Sequence, residues 1–323
     1  MSCATVLLVS HSGDFFTVER VTEALVRKGA HPLRIDTDCF PAGGLRLSTR
    51  VDTLVSRQRL GDVELRREDV RAVWMRRLWA PALDPALDPR FADACRRESR
   101  AALEGFLSGL ATARWMDPLE VTRAASDKLS QLRLAREVGL RIPRTLVTND
   151  PAEARAFFAE VGGRMVAKLL TPLSVSMDGS GPCLPTSIVE EAELEGLESL
   201  RLCPMVFQER IDKASELRVV YVAGRLFTGA IDARGSRQGA VDWRRTRPSE
   251  APWRPGALPA KAAAAFLELM KRLGLLFGAA DIILPPHGEP VFLEVNPGGE
   301  WGMLEHELGL PISEAIAETL LDS

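Results

Sequence analysis

Cysteine and histidine are scarce and scattered in this chain. Its five cysteines stand at Cys3, Cys39, Cys95, Cys183 and Cys203, and its four histidines at His11, His31, His287 and His306. None forms a CxxC pair or a Cys/His cluster, so neither a zinc site nor a disulfide framework is indicated. Scattered thiols of this kind fit a reducing cytosol. Long apolar runs are missing as well, since no window reaches 18 consecutive apolar residues, and no membrane-spanning helix is expected. The opening MSCATVLLVSHSGD has no basic lead-in and no small-residue cleavage site, so it reads as a first strand rather than a signal peptide. A strong charge excess is absent: 41 Lys+Arg against 44 Asp+Glu leave a net charge of −3. That argues against binding nucleic acid by bulk electrostatics and leaves room for a local basic pocket. The first strand-to-helix turn, HSGDFFTVE, lacks the G-x-G-x-x-G fingerprint, so no dinucleotide site is expected there. Lysine is the last scarcity, with 6 residues against 35 arginines. The plainest reading of that skew is a GC-rich coding sequence. Each lysine then stands where arginine was the easy choice, and Lys128, Lys168 and Lys213 fall in the segments singled out below.

What is present suits a folded α/β protein. The 323 residues, 46% of them hydrophobic, are enough for two or three domains of about 100–150 residues each. Residues 4–9 read as a buried strand, 17–28 as a helix stopped by Gly29, and 31–35 as a second strand. This β-α-β opening predicts a parallel sheet with a crossover helix. Residues 46–66 alternate and look antiparallel; residues 70–75 form another strand, and a long helix runs from about 90 to 110. Further helices are expected near 126–138, after Asn149-Asp150-Pro151, at 259–273 and from Pro311. Strands are expected at 144–147, 165–170, 205–209, 216–221, 225–231, 279–284 and 291–295, with a tight turn at Ala223-Gly224. The Ser/Gly/Pro-rich stretch 171–187 reads as a loop, 188–202 as an acidic helix, and 233–259 as a polar, Arg-rich connection.

The strongest chemical signal is the hairpin GAADIILPPHGEPVFLEVNPGG near the C-terminus. If Leu284 opposes Val291, Asp281 falls opposite Glu294. Residues two apart on a strand share a face, so Asp281, Glu294 and Asn296 would project three oxygen ligands to one side. A slip of one residue would destroy that face. Oxygen ligands without His or Cys suit Mg²⁺ shared with substrate phosphates. The alternative is a solvated polar face, which the strongly apolar neighbours disfavour. Lys168 lies in the apolar strand MVAKLL, where a phosphate or a structural ion pair would be its partner.

This hairpin resembles the ATP-grasp ligases, whose last strands carry an acidic residue and then E-x-N before a glycine turn. Here those are Asp281, Glu294-Val295-Asn296 and Pro297-Gly298-Gly299. The resemblance implies an ATP-grasp fold of the α/β (α+β) class. An N-terminal α/β domain would span 1–118. A central subdomain for leader and nucleotide binding would span 119–204. A C-terminal antiparallel-sheet subdomain with the metal and catalytic site would span 205–323. It implies ATP and Mg²⁺ as cofactors, with Asp281, Glu294 and Asn296 holding metal and Lys128 and Lys168 contacting phosphates. Phe207-Gln208-Glu209-Arg210-Ile211 matches the hinge that holds adenine and ribose, so Gln208, Glu209 and Ile211 become nucleotide contacts. Glu216-Leu217-Arg218 looks like the family's acidic-x-Arg element, with Glu216 near the nucleotide and Arg218 on the transferred phosphoryl group.

A narrower resemblance is to the microviridin-type (graspetide) ligases. It rests on Asp242-Trp243-Arg244, FQERIDKASELRV, GLPISEAIAETL and Val73-Trp74-Met75-Arg76-Arg77. It implies macrocyclisation of a ribosomally made precursor peptide of leader and core, with Arg244 holding the substrate carboxylate or acyl phosphate. An Asp or Glu side chain would be joined to a Ser/Thr hydroxyl as an ester, the favoured product, or to a Lys amine as an amide. It also implies a cytoplasmic homodimer. Glu190, Glu191 and Glu195 in the acidic helix would pair with basic leader residues, or form a solvated helix face. One departure is Glu300, which stands where Gly-Gln-Trp would place glutamine and adds a negative charge near the metal ligands. Two other readings compete: a ligase acting on free amino acids or protein tails, and a non-catalytic nucleotide-binding module.

Overall fold

The computed structural model describes residues 4–51, 56–65, 69–171, 186–232 and 252–322. The chain opens as β1 (Thr5–Ser10), α1 (Phe16–Arg27) and β2 (His31–Asp36). Helix α1 forms because Val18, Val21, Ala24 and Leu25 recur on one face, all buried against the sheet. Gly29, at φ 77°, turns the chain out of it. Next come β3 (Leu47–Val51), β4 (Ser56–Leu60) and β5 (Val63–Leu65), an antiparallel three-stranded sheet as the alternation predicts. Then β6 (Val70–Met75), α2 (Ala92–Ser108) and β7 (Arg114–Met116) complete a parallel sheet of order β2-β1-β6-β7.

Two short helices follow, α3 (Leu119–Ala125) and α4 (Lys128–Glu137). Asp127 caps α4, its carboxylate accepting from the Leu129 and Ser130 amides. The third sheet is antiparallel and built from β8 (Thr145–Thr148), β9 (Met165–Lys168), β10 (Ser187–Val189) and β11 (Met205–Glu209), in the order β10-β9-β11-β8. It is backed by α5 (Pro151–Glu160), which starts at the expected Asp150-Pro151 cap. The acidic segment expected as a helix from 188 differs. Its first residues belong to β10, and Glu191–Leu202 is a 3₁₀ run. The cause is the spacing of Leu194, Leu197 and Leu200 on the α5 side. A period of three matches the three residues per turn of a 3₁₀ helix.

The last sheet has the order β14-β13-β12-β15-β16 and is antiparallel throughout. Its members are β12 (Ser215–Val222), β13 (Arg225–Ile231), β14 (Arg254–Pro255), β15 (Phe277–Leu284) and β16 (Val291–Asn296). Helix α6 (Ala260–Leu273) covers it with α3 and α4, while α7 (Gly302–Leu308) and α8 (Ile312–Leu321) end the chain. The first and last sheets share one core. Val6, Leu8 and Trp74 pack with Val220, Val222 and Trp301 through α1 and α8. That shared core brings the end of β6 beside the loop after β16.

Asp117, just after β7, ties the two regions together again. Its carboxylate accepts from the Leu276 amide at 2.8 Å and the Phe277 amide at 3.0 Å. Burial outweighs these two hydrogen bonds and pushes its pKa up to about 6 from an ordinary 3.8. The native state therefore holds the proton more tightly than the unfolded chain. This group's stabilising share is complete below about pH 4 and is lost as pH rises through about 6. Between pH 4 and 7 the unfolding free energy of wild type should fall relative to Asp117→Asn by up to about 3 kcal/mol. Chemical denaturation of both proteins across that range checks it, and parallel pH profiles would refute it.

Candidate active site

Three strands set a charged row across the face of the last sheet. Arg218 on β12 pairs with Asp281 on β15, and Asp281 pairs with Glu294 on β16. All three are buried, at 5%, 3% and 9% exposure. Leu284, however, does not oppose Val291. Ile283 does, and the register shifts between Asp281 and Ile282. Leu293 is the extra residue of a β-bulge on β16. The bulge absorbs the one-residue error and restores Asp281 opposite Glu294.

Buried carboxylates need partners, and each has a cation. Arg218 Nη1 donates to Asp281 Oδ1 at 2.8 Å. Lys128 Nζ lies 2.8 Å from Glu294 Oε2. Asn296 Nδ2 donates to Glu294 Oε1 at 3.2 Å, so the amide belongs to the same group. Two acids, one amide and two cations therefore meet in one place. Among the described residues no group of three or more His, Cys, Asp or Glu side chains is arranged to hold a metal. Two carboxylates and an amide oxygen, completed by phosphate oxygens and water, are nevertheless what Mg²⁺ takes.

The loop after β16 closes over this row. A Cβ on Gly299 would lie 2.6 Å from Ala279 Cβ and 2.8 Å from Arg218 Nη2, and one on Gly298 would lie 2.9 Å from the Arg76 carbonyl oxygen. Both positions need glycine for close approach. Arg218 Nε and Nη2 donate to the Glu300 carbonyl at 3.1 and 2.9 Å.

The other predicted positions lie along β9, β11 and the segment leading to β12. Lys168 ends β9 opposite Val206. Gln208 is buried and donates to Thr145 Oγ1 at 2.9 Å, while Glu209 accepts from the Arg144 amide at 3.3 Å. Ile211 packs with Ile283 and Val291 from the last sheet. Glu216 accepts from Lys213 Nζ at 2.8 Å. A cavity of about 350 Å³ opens against Glu209, Ile211, Arg141 and Pro285.

Known proteins share this fold. Residues 5–123 match the family described as the MvdD pre-ATP grasp domain. The macrocyclase MdnB of Microcystis aeruginosa is 49% identical over 99% of this chain and 100% of its own, with a TM-score of 0.84. The chain belongs to the microviridin-type ATP-grasp macrocyclases. A RiPP-associated ATP-grasp ligase of Chryseobacterium gregarium, solved with ADP and a leader and core peptide, is 32% identical to this macrocyclase family member. That alignment covers 98% of this chain and 96% of the other, with a TM-score of 0.89. A probable alpha-L-glutamate ligase of Desulfotalea psychrophila is 28% identical over 207 residues, which is 61% of this chain. The chain spans less than half of that curated relative, 41% of its length.

The predicted positions in this macrocyclase family member also include Arg244 and three glutamates. Arg244, with Asp242 and Trp243, lies outside the described residues. Glu190, Glu191 and Glu195 are exposed around the start of the 3₁₀ run. Glu190 caps that run in a reciprocal box with Glu193.

The sequence reading missed Gln131. It is 1% exposed, and its amide brackets β16, donating to the Val295 carbonyl at 2.7 Å and accepting from the Val295 amide at 2.9 Å. This clamp fixes α4 on the strand, and Lys128, one turn earlier, consequently reaches Glu294. The signal was present in the sequence as a glutamine three residues after Lys128 on the face shared with Leu132 and Ala135.

Proposed function

We propose that this chain is an ATP-dependent ligase that macrocyclises a ribosomally made precursor peptide. The observation that carries the reading is the row Arg218–Asp281–Glu294 with Lys128 and Asn296 at its end, in a chain 49% identical to a macrocyclase along its whole length. A core Asp or Glu carboxylate attacks the γ-phosphorus of ATP, and ADP leaves. A Ser or Thr hydroxyl of the same peptide then attacks the acyl carbon, phosphate leaves, and an ester ring closes. A Lys amine attacking in the same way gives an amide.

Asp281, Glu294 and Asn296 would hold Mg²⁺, which supplies charge neutralisation at the phosphates. Lys128 and Lys168 draw the phosphates into place, and Arg218 faces the negative charge that develops during transfer. Gln208, Glu209, Ile211 and Glu216 position the nucleoside. The division into 1–118, 119–204 and 205–323 remains the working map of the domains. Arg244 holds the core carboxylate, and Glu190, Glu191 and Glu195 draw in basic leader residues. A cytoplasmic homodimer completes the reading; the free thiols Cys39, Cys95 and Cys203 support a reducing compartment. Among the described residues no helix is long and apolar enough to cross a membrane.

The test is mass spectrometry of a short precursor peptide encoded beside the gene, incubated with the protein, ATP and Mg²⁺. Loss of one water per ring, dependent on ATP, is the expected result. Mild alkaline hydrolysis then opens esters and spares amides. An unchanged peptide mass, with ADP released only when free amino acids or protein tails are supplied, would move the chain to the second class. The similarity to a probable glutamate ligase keeps that outcome concrete. Arg244→Ala should slow ring formation by about 10²–10³-fold while ATP affinity stays within about twofold. Equal losses in both, by calorimetry and turnover, would remove Arg244 from substrate binding.

A further inference from the structure

The end of β6 and the loop after β16 share a second charge chain, buried at Asp14 and Arg76 and partly exposed at Glu300, that the proposed reaction does not use. Arg76 is 2% exposed. Its Nη2 lies 2.6 Å from Glu300 Oε2, and its Nη1 donates to the Gly298 and Gly299 carbonyls. On its other side Nε forms an ion pair with Asp14 Oδ2 at 3.2 Å. Asp14 is 4% exposed and accepts from the Ser10 and Thr17 hydroxyls. Burial pushes the Asp14 pKa up, yet Arg76 and the two hydroxyls more than offset it and hold the carboxyl below its usual range. Arg77 adds Nε and Nη2 donations to the Gly298 carbonyl at 3.3 and 3.2 Å.

Glu300 is the turning point of this chain. Its Oε1 accepts from the Trp301 and Gly302 amides at 3.1 and 3.0 Å, while Oε2 faces Arg76. Both carboxylate oxygens are therefore fixed, and Trp301 beside it is fully buried. With the side chain clamped at both oxygens, the residue's own carbonyl has one direction in which to point. That carbonyl accepts two hydrogen bonds from Arg218. Paired donation from one guanidinium to one oxygen, with Nη1 on Asp281, sets the plane of the group.

We infer that Glu300 is a positioning residue, held by the Asp14–Arg76 pair of the first sheet, that orients the Arg218 guanidinium through its own main-chain carbonyl. The inference rests on the proposed role of Arg218 only for its kinetic consequence; the orientation itself is independent of the reaction. Hydrogen bonding carries the effect through two accepting oxygens, so alanine removes it on both sides, while glutamine keeps one acceptor and sets a donating NH2 group against the other donors.

The experiment has two arms on the intact protein. In the first, the Arg218 side-chain Nε–H is followed by nitrogen-15 NMR, assigned by its loss in Arg218→Lys. Its hydrogen exchange should speed up at least tenfold in Glu300→Ala and by less in Glu300→Gln, which keeps one of the two accepting oxygens. An unchanged rate in Glu300→Ala overturns the inference whatever the protein catalyses. In the second, ring formation by Glu300→Ala should show kcat reduced about 10–100-fold with KM for ATP within twofold, and Glu300→Gln should fall between it and wild type. Loop damage without a positioning role would instead raise KM for ATP. In an Arg218→Lys background, which cannot make the paired donation, adding Glu300→Ala should cost less than threefold more. A wild type that forms no rings sinks the functional proposal and leaves the exchange measurement to decide this one.

Discussion

Asp281→Asn should abolish most ring formation, by about 10²–10³-fold, and should also destabilise the fold by about 3–5 kcal/mol. The substitution is nearly isosteric, so packing is not the cause. Asp281 is 3% exposed and stands between Arg218 on one strand and Glu294 on the other. Its negative charge is what offsets the buried Arg218 guanidinium at 2.8 Å. Removing it leaves a cation in a site with few alternatives to water, and it removes one of two carboxylates proposed for Mg²⁺. The two effects separate in a second variant. Asp281→Asn combined with Arg218→Met deletes both charges, so much of the stability should return while activity stays lost. Chemical denaturation and turnover measured on the same samples read both quantities. Activity within tenfold of wild type in Asp281→Asn would take Asp281 out of the metal set.

The logic of that row was partly legible before the structure. The alternation of apolar and polar residues on the two strands identified a hairpin, and the pairing of Asp281 with Glu294 is as expected. The reason given for it was off by one residue, because a bulge leaves no trace in a period-two pattern. Leu293 looks like any other apolar strand residue, and its insertion offset the error in the Leu284–Val291 anchor. The 3₁₀ run shows the opposite failure. Its glutamates suggest an acidic helix, while the leucine period of three carries the structural information. Contacts between distant segments were not legible at all. Arg76 and Glu300 are 224 positions apart, and nothing local to either announces the partner. Gln131 and Val295 are 164 apart and equally silent. The first pair is fixed by how α1, α8 and the two sheets share one core, and the second by how α4 and α6 cover the last sheet; both are properties of topology.

The core also explains why the glycine loop tolerates so little, and Gly299→Ala should show it. A Cβ there would sit 2.6 Å from Ala279 Cβ, 2.8 Å from Arg218 Nη2 and 3.0 Å from the Asn296 carbonyl oxygen. Gly299 has no positive φ, so the cost is contact and not backbone strain. Ala279 cannot turn away. It has no rotamers, is fully buried, and is paired across the sheet with Asn296. Either the loop lifts, carrying the Glu300 carbonyl with it, or Arg218 leaves that carbonyl. Both displace the arginine, so ring formation should fall more than about 10²-fold, with a stability loss of about 1–3 kcal/mol. Gly309→Ala is the contrast: its φ is +65° with nothing within 4 Å of a Cβ. It should cost about 1 kcal/mol through backbone strain and leave turnover unchanged. Ala279→Gly should suppress Gly299→Ala in part, because it removes the tightest, rigid obstacle and leaves the end of Arg218 and, at 3.0 Å, the Asn296 carbonyl oxygen. Turnover of the double variant at least tenfold above Gly299→Ala supports a steric wedge under the arginine. No recovery would mean that the added methyl acts on the Asn296 carbonyl, and so on the proposed metal ligands, in place of Arg218.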